Sequence, residues 1–570
     1  MFFNVPEFTL LDKFSSAATS SLKNIQEEAQ SKLVMVERKK IEIQISAESP
    51  KIIIAENFEE NSPVFILDLG HFKFFSDNQT NLDIYKLKIL NIKAFLCENE
   101  DWNSLNNVKL LEDIDFDFTF KMPKNFEKNQ YQVYFEMPAP IQLHFSVGRF
   151  RRLLKTIKKS VDQIFPEKKS TQVVSLNNES YQSITGFREI LFNMKIPSIK
   201  INLYNESESD LLQISFLNFN LDLISNSVGE KIEMVLKAFR VTDKKQKWGE
   251  EFQDLVQFGQ SDQAITIKIE NASERKNNEA KVKANLETSD LKLLINRETL
   301  IELGQIIGQL SSQKQEKIDT GISIVIEKPK IKKNAFQLLN LCLKLGSLGV
   351  TLNREGNKLF TFYVGNSDSL LKLDNCGDLE VNGNIGSMSV VHLLTNGPHK
   401  EFMTTMGENS FSFNLKYYNK MSTSFPGHSL NLKLKMSKIK SVFLNLFTDE
   451  IVSYFDEMND MKNYFAKSAG NVMNQIQENN MAKISIEIVS PLIVVPKHST
   501  SQQVLFFTLG DTKIEIVDTK SGNSLIHSVD VLFKNLQASS GKYNEQENSK
   551  NIIQKTKGDI SNFDFNLTKN

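Results

Sequence analysis

KIEIQISAESPKIII (Lys40–Ile54), followed after an Asn/Ser/Pro stretch by VFILDLGHFKF (Val64–Phe74), decides the fold because the chain repeats it. The second copy runs KISIEIVSPLIVV (Lys483–Val495), a Ser/Thr/Gln stretch, and LFFTLGDTKIEI (Leu505–Ile516). The Ser-Pro pairs ending at Pro50 and Pro491 are offset by 491 − 50 = 441, and the Leu-Gly pairs ending at Gly70 and Gly510 by 510 − 70 = 440. An offset that constant predicts a repeat array.

A shorter repeat lies inside the long one, in which a strand-like run passes through one polar residue into an amphipathic helix. It reads IQLHFS then VGRFRRLLKTIKKSVDQI, LKLLIN then RETLIELGQIIGQL, and SVFLNLFT then DEIVSYFDEM. Ser146, Asn296 and Thr448 are the expected N-caps. They are spaced by 296 − 146 = 150 and 448 − 296 = 152, a unit of about 150 residues. The expected division is residues 1–40 as the helical end of a preceding unit, then groove units at 41–165, 166–312 and 313–480, the last ending in a long helix, and 481–570 as the start of another. Both ends lie inside the repeat, and an array needs polar caps, so a segment of a longer protein is expected.

Period-two alternation, the mark of a sheet with one apolar and one polar face, covers most of the chain. In DIDFDFTF, Ile114, Phe116, Phe118 and Phe120 share a face. In FNMKIPSIKINLY the set is Met194, Ile196, Ile199, Ile201 and Leu203, with Pro197 expected to force a bulge or an edge. FSFNLKY contributes Phe411, Phe413 and Leu415 with Tyr417, and LNLKLKM contributes Leu430, Leu432, Leu434 and Met436. Turn signals at Asn353–Gly356, Asn375–Gly377, and Gly383 with Gly386 point to a largely antiparallel meander. One helix per unit is too little to cover so much apolar face. The face either packs as a sandwich, closes as a barrel, or stays open as a groove, and repetition without a long linker favours the groove. The fold class is therefore mainly β: an extended repeating antiparallel sheet, rod-like, curled into a hydrophobic groove. The competing reading of each named residue is a dry core under a helix.

Composition narrows the function further. The chain has 68 basic and 69 acidic residues, a net charge of −1, so no global field recruits nucleic acid. Cys97, Cys342 and Cys376 are too few and scattered for a disulfide framework or a zinc site. Seven histidines show no pair at metal-ligand spacing, the glycines of VNGNIGSMS lack the Lys-Ser/Thr of a phosphate loop, and no nucleophile elbow or kinase signature occurs. No enzyme, metal or cofactor is expected. No apolar run is long enough to span a bilayer.

The segments SPKIIIAENFEENSPVFILDLGHFKF, SPLIVVPKHSTSQQVLFFTLGDTKIEI, and VNGNIGSMSVVHL followed by FSFNLKY resemble the repeating segments of the vacuolar protein sorting-associated protein 13 (chorein) family of bridge-like lipid-transfer proteins. The first copy keeps Asp68, Leu69 and Gly70 but has Ala55 where the closing Pro would stand, and the second keeps Pro496, Leu509 and Gly510 but has Thr508 for the Asp. The resemblance implies a trough whose floor carries phospholipid acyl chains between organelle membranes at contact sites. It implies a cytoplasmic protein peripheral to those membranes, held by adaptor proteins through parts this chain lacks. The floor would be the alternating apolar residues named above, and Arg149, Arg152, Lys155 and Lys159 on the helix after Ser146 are candidates for head-group contact. A structural or adaptor rod with its apolar face buried is the competing function.

Overall fold

The computed structural model describes residues 42–569 apart from 56–63, 98–107, 125–129, 158–188, 273–278, 313–335, 457–480, 544–562 and shorter interruptions. The helical end expected at residues 1–40 lies outside the described residues. Among the described residues strands hold 70% and helices 9%, and the 30 described strands join one mixed sheet.

Neighbouring strands pair antiparallel except at three junctions. Gln130–Glu136 and Ile141–Ser146 run parallel to Glu189–Tyr204, Val282–Thr288 and Leu291–Asn296 run parallel to Gln337–Leu345 and Leu348–Arg354, and Leu430–Val442 runs parallel to Ala482–Ile488 and Leu492–Pro496. Between the first two junctions lie five crossings of the sheet: Glu189–Tyr204, Asp210–Asn226, Gly229–Asp243, Asp254–Phe258 continued by Ile265–Ala272, and Val282–Thr288 continued by Leu291–Asn296. Antiparallel strands need only hairpins, whereas a parallel pair needs a crossover of a dozen residues or more. The expected meander is thus interrupted wherever a connection returns the chain from one rim of the sheet to the other.

Most crossings are split into two strands at the same level, several of the continuous ones carry a register shift or a skipped pair there, and these irregularities line up into a crease. Ser387 and Asn366 carbonyls accept the amides of Gly365 and Gly386 at 2.6 and 2.8 Å, and the Ser347 carbonyl accepts the Leu291 amide at 2.6 Å, so the broken segments bond to one another. Left-handed backbone recurs along this line at Gly70, Asn91, Asn218, Ser490, Gly510 and Asn535. The break restores facing. Leu339, Leu341, Leu343 and Leu345 are odd-numbered, but beyond Gly346 the same face is taken by Leu348, Val350 and Leu352. Pro197 also falls on the crease: its pairing with the left-handed Asn218 is skipped while the register from Leu203 to Ile190 is kept, so it marks a local break with neither a sheet edge nor a register shift.

The crease explains the repeated Leu-Gly pair. Gly70 and Gly510 have φ of 69° and 65°, and a Cβ would stand 1.9 Å from the Leu90 carbonyl oxygen and 1.7 Å from that of Lys534. A left-handed L-residue costs about 1–2 kcal/mol before any such clash. Gly510→Ala is therefore expected to open the crease locally, read as faster amide exchange in Gln503–Thr508 and Asp511–Ser521 with remote strands unchanged; uniform exchange would contradict it.

The crease divides the sheet into two walls, and the dry core belongs to the second. There Leu303 and Ile306 of the helix Arg297–Ser312 pack on Leu211, Leu212, Leu255, Leu203 and Val241. Phe447 and Tyr454 of the helix Asn445–Asp456 pack with Leu352, Phe360, Val390, Val442 and Val494. Ser146 caps as expected, its Oγ accepting the Arg149 amide at 3.0 Å. Asn296 directly precedes its helix, but its side chain serves a buried network described below. Thr448 is no cap: the helix begins at Asn445, and Thr448 sits one turn inside with its Oγ1 3.5 Å from the Leu444 carbonyl. Burial of Leu444 and Phe447 draws that first turn onto the sheet. Gly383, expected in a turn, lies within the strand Leu379–Ile385.

Candidate functional site

Directly paired residues of neighbouring strands point to the same side of a sheet, so the register can be followed residue by residue along the first wall. One row begins Ile45–Phe74–Leu87–Phe118–Phe135–Met194. It continues Leu221–Met234–Ile267–Leu286–Leu343. It passes Ser369 and Gly383, then resumes Phe413–Leu434–Ile486–Ile514–Val531–Phe565. Ser369 and Gly383 are its two residues that are not large and apolar, and they are adjacent. The Phe413 ring fills the space above the glycine: a Cβ there would lie 2.5 Å from Phe413 Cε1 and Cζ.

Two further rows flank this one. Toward the rim runs an unbroken apolar row that joins Phe120, Val133 and Phe192 to Leu415, Leu432 and Ile484. Toward the crease, Ile196 pairs through Phe219 and Leu236 in the line that reaches Phe411 and Met436. Leu430 pairs with Tyr417 at the rim and Phe116 with Ile89 near the crease. The first-wall residues picked from sequence are thus brought onto one continuous face. All are half-buried, and among the described residues no helix rests on them.

The remaining picks sit differently. Ile114, at the crease, is 4% exposed. Ile199, Ile201 and Leu203 lie beyond the crease on the second wall, opposite Ile141, Leu143 and Phe145, and Leu203 packs in the cluster under the helix Arg297–Ser312. The structure therefore gives Leu203 and Ile114 buried environments that the first-wall picks lack. Sequence reasoning also passed over Leu221, Met234, Ile267, Leu286 and Leu343, although ITIKIEN and VKANLET carry the same alternation.

The reverse face of the first wall is charged. Lys88 pairs with Asp117 at 2.8 Å, Lys268 with Glu233 at 3.0 Å, Lys344 with Glu287 at 2.9 Å and Lys416 with Glu380 at 3.1 Å. Such exposed pairs add about 0–1 kcal/mol each. Their effect is to keep that side solvated and the apolar side singular.

The second wall is closed by polar contacts as well as packing. Asn296 Nδ2 donates to Asp243 at 3.1 Å and to the Phe252 carbonyl at 2.9 Å, Asn353 Nδ2 donates to Asn296 at 2.8 Å, and Thr299 donates to Asp243. Burial pushes the Tyr454 phenol up to about 12, so it stays protonated and donates to the Ile295 carbonyl at 3.1 Å. His392, 1% exposed, lies between the Phe360 and Phe447 rings and meets Glu450 at 2.6 Å. The basic helix behaves similarly in part. Arg149 lies 4.4 Å over the Tyr204 ring and donates to the Lys109 carbonyl; Arg152 is exposed; Lys155's side chain and Lys159 lie outside the described residues. Among the described residues no His/Cys/Asp/Glu group could hold a metal, and no helix is long and apolar enough to cross a membrane.

No protein-family profile matches the chain. Two curated proteins do. Over 182 residues, 31% of this chain, it is 25% identical to the human "Intermembrane lipid transfer protein VPS13D". Over 138 residues, 22% of this chain, it is 28% identical to the Dictyostelium discoideum "Intermembrane lipid transfer protein tipC". The chain spans about 4% of the length of each. These likenesses, with the mainly β repeating sheet, fit a repeating segment of the VPS13 family.

Proposed function

We propose that this chain is a segment of a bridge-like lipid conduit, carrying phospholipid acyl chains along the apolar face of its first wall between organelle membranes at contact sites. The observation that carries the reading is the row from Ile45 to Phe565, apolar except at Ser369 and Gly383 and, among the described residues, without a helix over it, in a chain similar to two proteins named for intermembrane lipid transfer. Sandwiching would bury those side chains; carrying a mobile guest requires that they stay reachable. Each five-strand group would serve as one length of the groove. The partners are phospholipids and the membranes at either end, with adaptor proteins bound outside this segment.

A sixteen-carbon chain in water costs on the order of 12 kcal/mol at about 0.8 kcal/mol per CH₂, and an uninterrupted apolar face removes most of it. Strands about 4.8 Å apart make the row on the order of 90 Å long. Apart from Ser369 and Gly383 its residues are aliphatic or aromatic, so low head-group selectivity is expected. Native mass spectrometry of the purified chain with lipid extraction tests the reading. Several phospholipids of mixed head group per chain are expected; a stable, monodisperse, lipid-free protein would favour the structural or adaptor rod instead.

A further inference from the structure

We infer that bound phospholipids lie in one orientation on the first wall, with head groups at its tyrosine-bearing rim and tails directed at the crease; this rests on the lipid-carrying reading above. Polarity on the interior face changes with distance from the crease. Beside the crease stand Ile89 and Phe116, then Leu87, Phe118 and Phe135. Farther out Tyr85 pairs with Phe120 and with Ser76, and beyond it comes Asp83, ion-paired to Lys124 at 3.2 Å. The rings of Tyr85, Phe120 and Tyr131 stack in sequence at 6.2 and 5.8 Å.

That gradient continues beyond the first five crossings as far as Asn271. Tyr131 pairs with Ile190, and the register then runs through Ser225, Glu230 and Asn271, all at the rim. Beyond Asn271 the same line is apolar at Val282, Leu339, Leu373 and Leu379, and Tyr417 then returns a phenol to the rim beside Leu430. Tyrosine combines an apolar ring with a polar tip and collects where hydrocarbon meets water. The opposite rim offers no such boundary, because the helices Arg297–Ser312 and Asn445–Asp456 seal its interior face into dry clusters.

The dimensions agree. From Tyr85 to the crease at Asn91 is six residues of strand, about 20 Å at 3.3 Å each. One leaflet's hydrocarbon is about 15 Å deep, half of a 30 Å core. A tail lying along the strand direction fits between the tyrosines and the crease, and successive lipids then advance sideways from strand to strand without turning over.

The test uses phosphatidylcholine carrying a diazirine either in the head group or at the acyl terminus, loaded on the full chain, irradiated and mapped by peptide mass spectrometry. The head-group probe is expected on the peptides holding Tyr85, Tyr131 and Tyr417, and the tail probe on those holding Ile89, Ile114 and Phe116. In the Tyr85→Phe/Tyr131→Phe variant, which keeps both rings, head-group labelling at this rim should fall about fivefold, the worth of one lost hydrogen bond, with tail labelling unchanged. Head-group label on the helices or on Leu143 and Ile201, or equal labelling of both levels by both probes, would overturn the orientation while leaving lipid carriage standing. Lipid that loads on neither level would overturn the lipid-carrying reading and this one with it.

Discussion

Glutamate in place of Phe118 or Leu432 is expected to stop lipid passage while the sheet stays folded. Phe118 is paired to Leu87 and Phe135, Leu432 to Leu415 and Ile484, so each stands inside a row with apolar neighbours on both sides. A carboxylate in a hydrocarbon track costs about 3 kcal/mol on the membrane-insertion scale, and a barrier of that size slows passage about a hundredfold. The folded state is affected less, because both positions are half-exposed and the new charge can turn toward solvent. Lipid co-purification and extraction of fluorescent phospholipid from liposomes are the measurements, with circular dichroism to verify folding. Asp117→Asn, on the charged reverse face, is the control and should extract lipid normally. Undiminished extraction by Phe118→Glu would remove that row from the path.

Much of this face was legible in the sequence because period-two alternation fixes which residues share a side, whatever the topology. FSFNLKY and LNLKLKM are not only alike; Phe413 pairs with Leu434 and Leu415 with Leu432. The repeat offset was equally direct, since Gly70 and Gly510 are held by backbone conformation and a carbonyl contact that leave no room for another residue. What alternation cannot carry is the relation between the two halves of a strand. Facing changes parity at the crease, so Met194 and Ile196 share a side with Ile199, Ile201 and Leu203, yet the two sets fall on different walls.

Helix cover was illegible for a related reason. A helix reads as amphipathic from its own residues, but the wall it lands on is set by the parallel junction that places its preceding strand. Thr448 looked like a cap because Ser/Thr before acidic residues is a helix-start signature, and burial of Leu444 and Phe447 outweighed it. Gly383 looked like a turn because its other constraint, the Phe413 ring above it, comes from a strand thirty residues on.

Phe447→Ala is expected to give the converse phenotype: a large loss of stability with lipid carriage retained. Phe447 is 1% exposed, stacks on His392 at 4.5 Å and meets Phe360 and Phe402 edge-on. Truncating such a residue costs about 3–5 kcal/mol, enough to loosen the helix Asn445–Asp456 from the second wall. Amide exchange should accelerate in that helix and in the strands Asn357–Val364 and Met388–His392, while strands whose side chains form the first-wall rows keep their protection. Because Phe118 and Leu432 lie on the other wall, bound phospholipid per chain should not fall, and it rises if the uncovered Phe360, Val390 and Val442 accept tails in place of the helix. Loss of lipid in Phe447→Ala equal to that in Phe118→Glu would mean that the two walls act as one cavity, and that the helices roof the path instead of standing beside it.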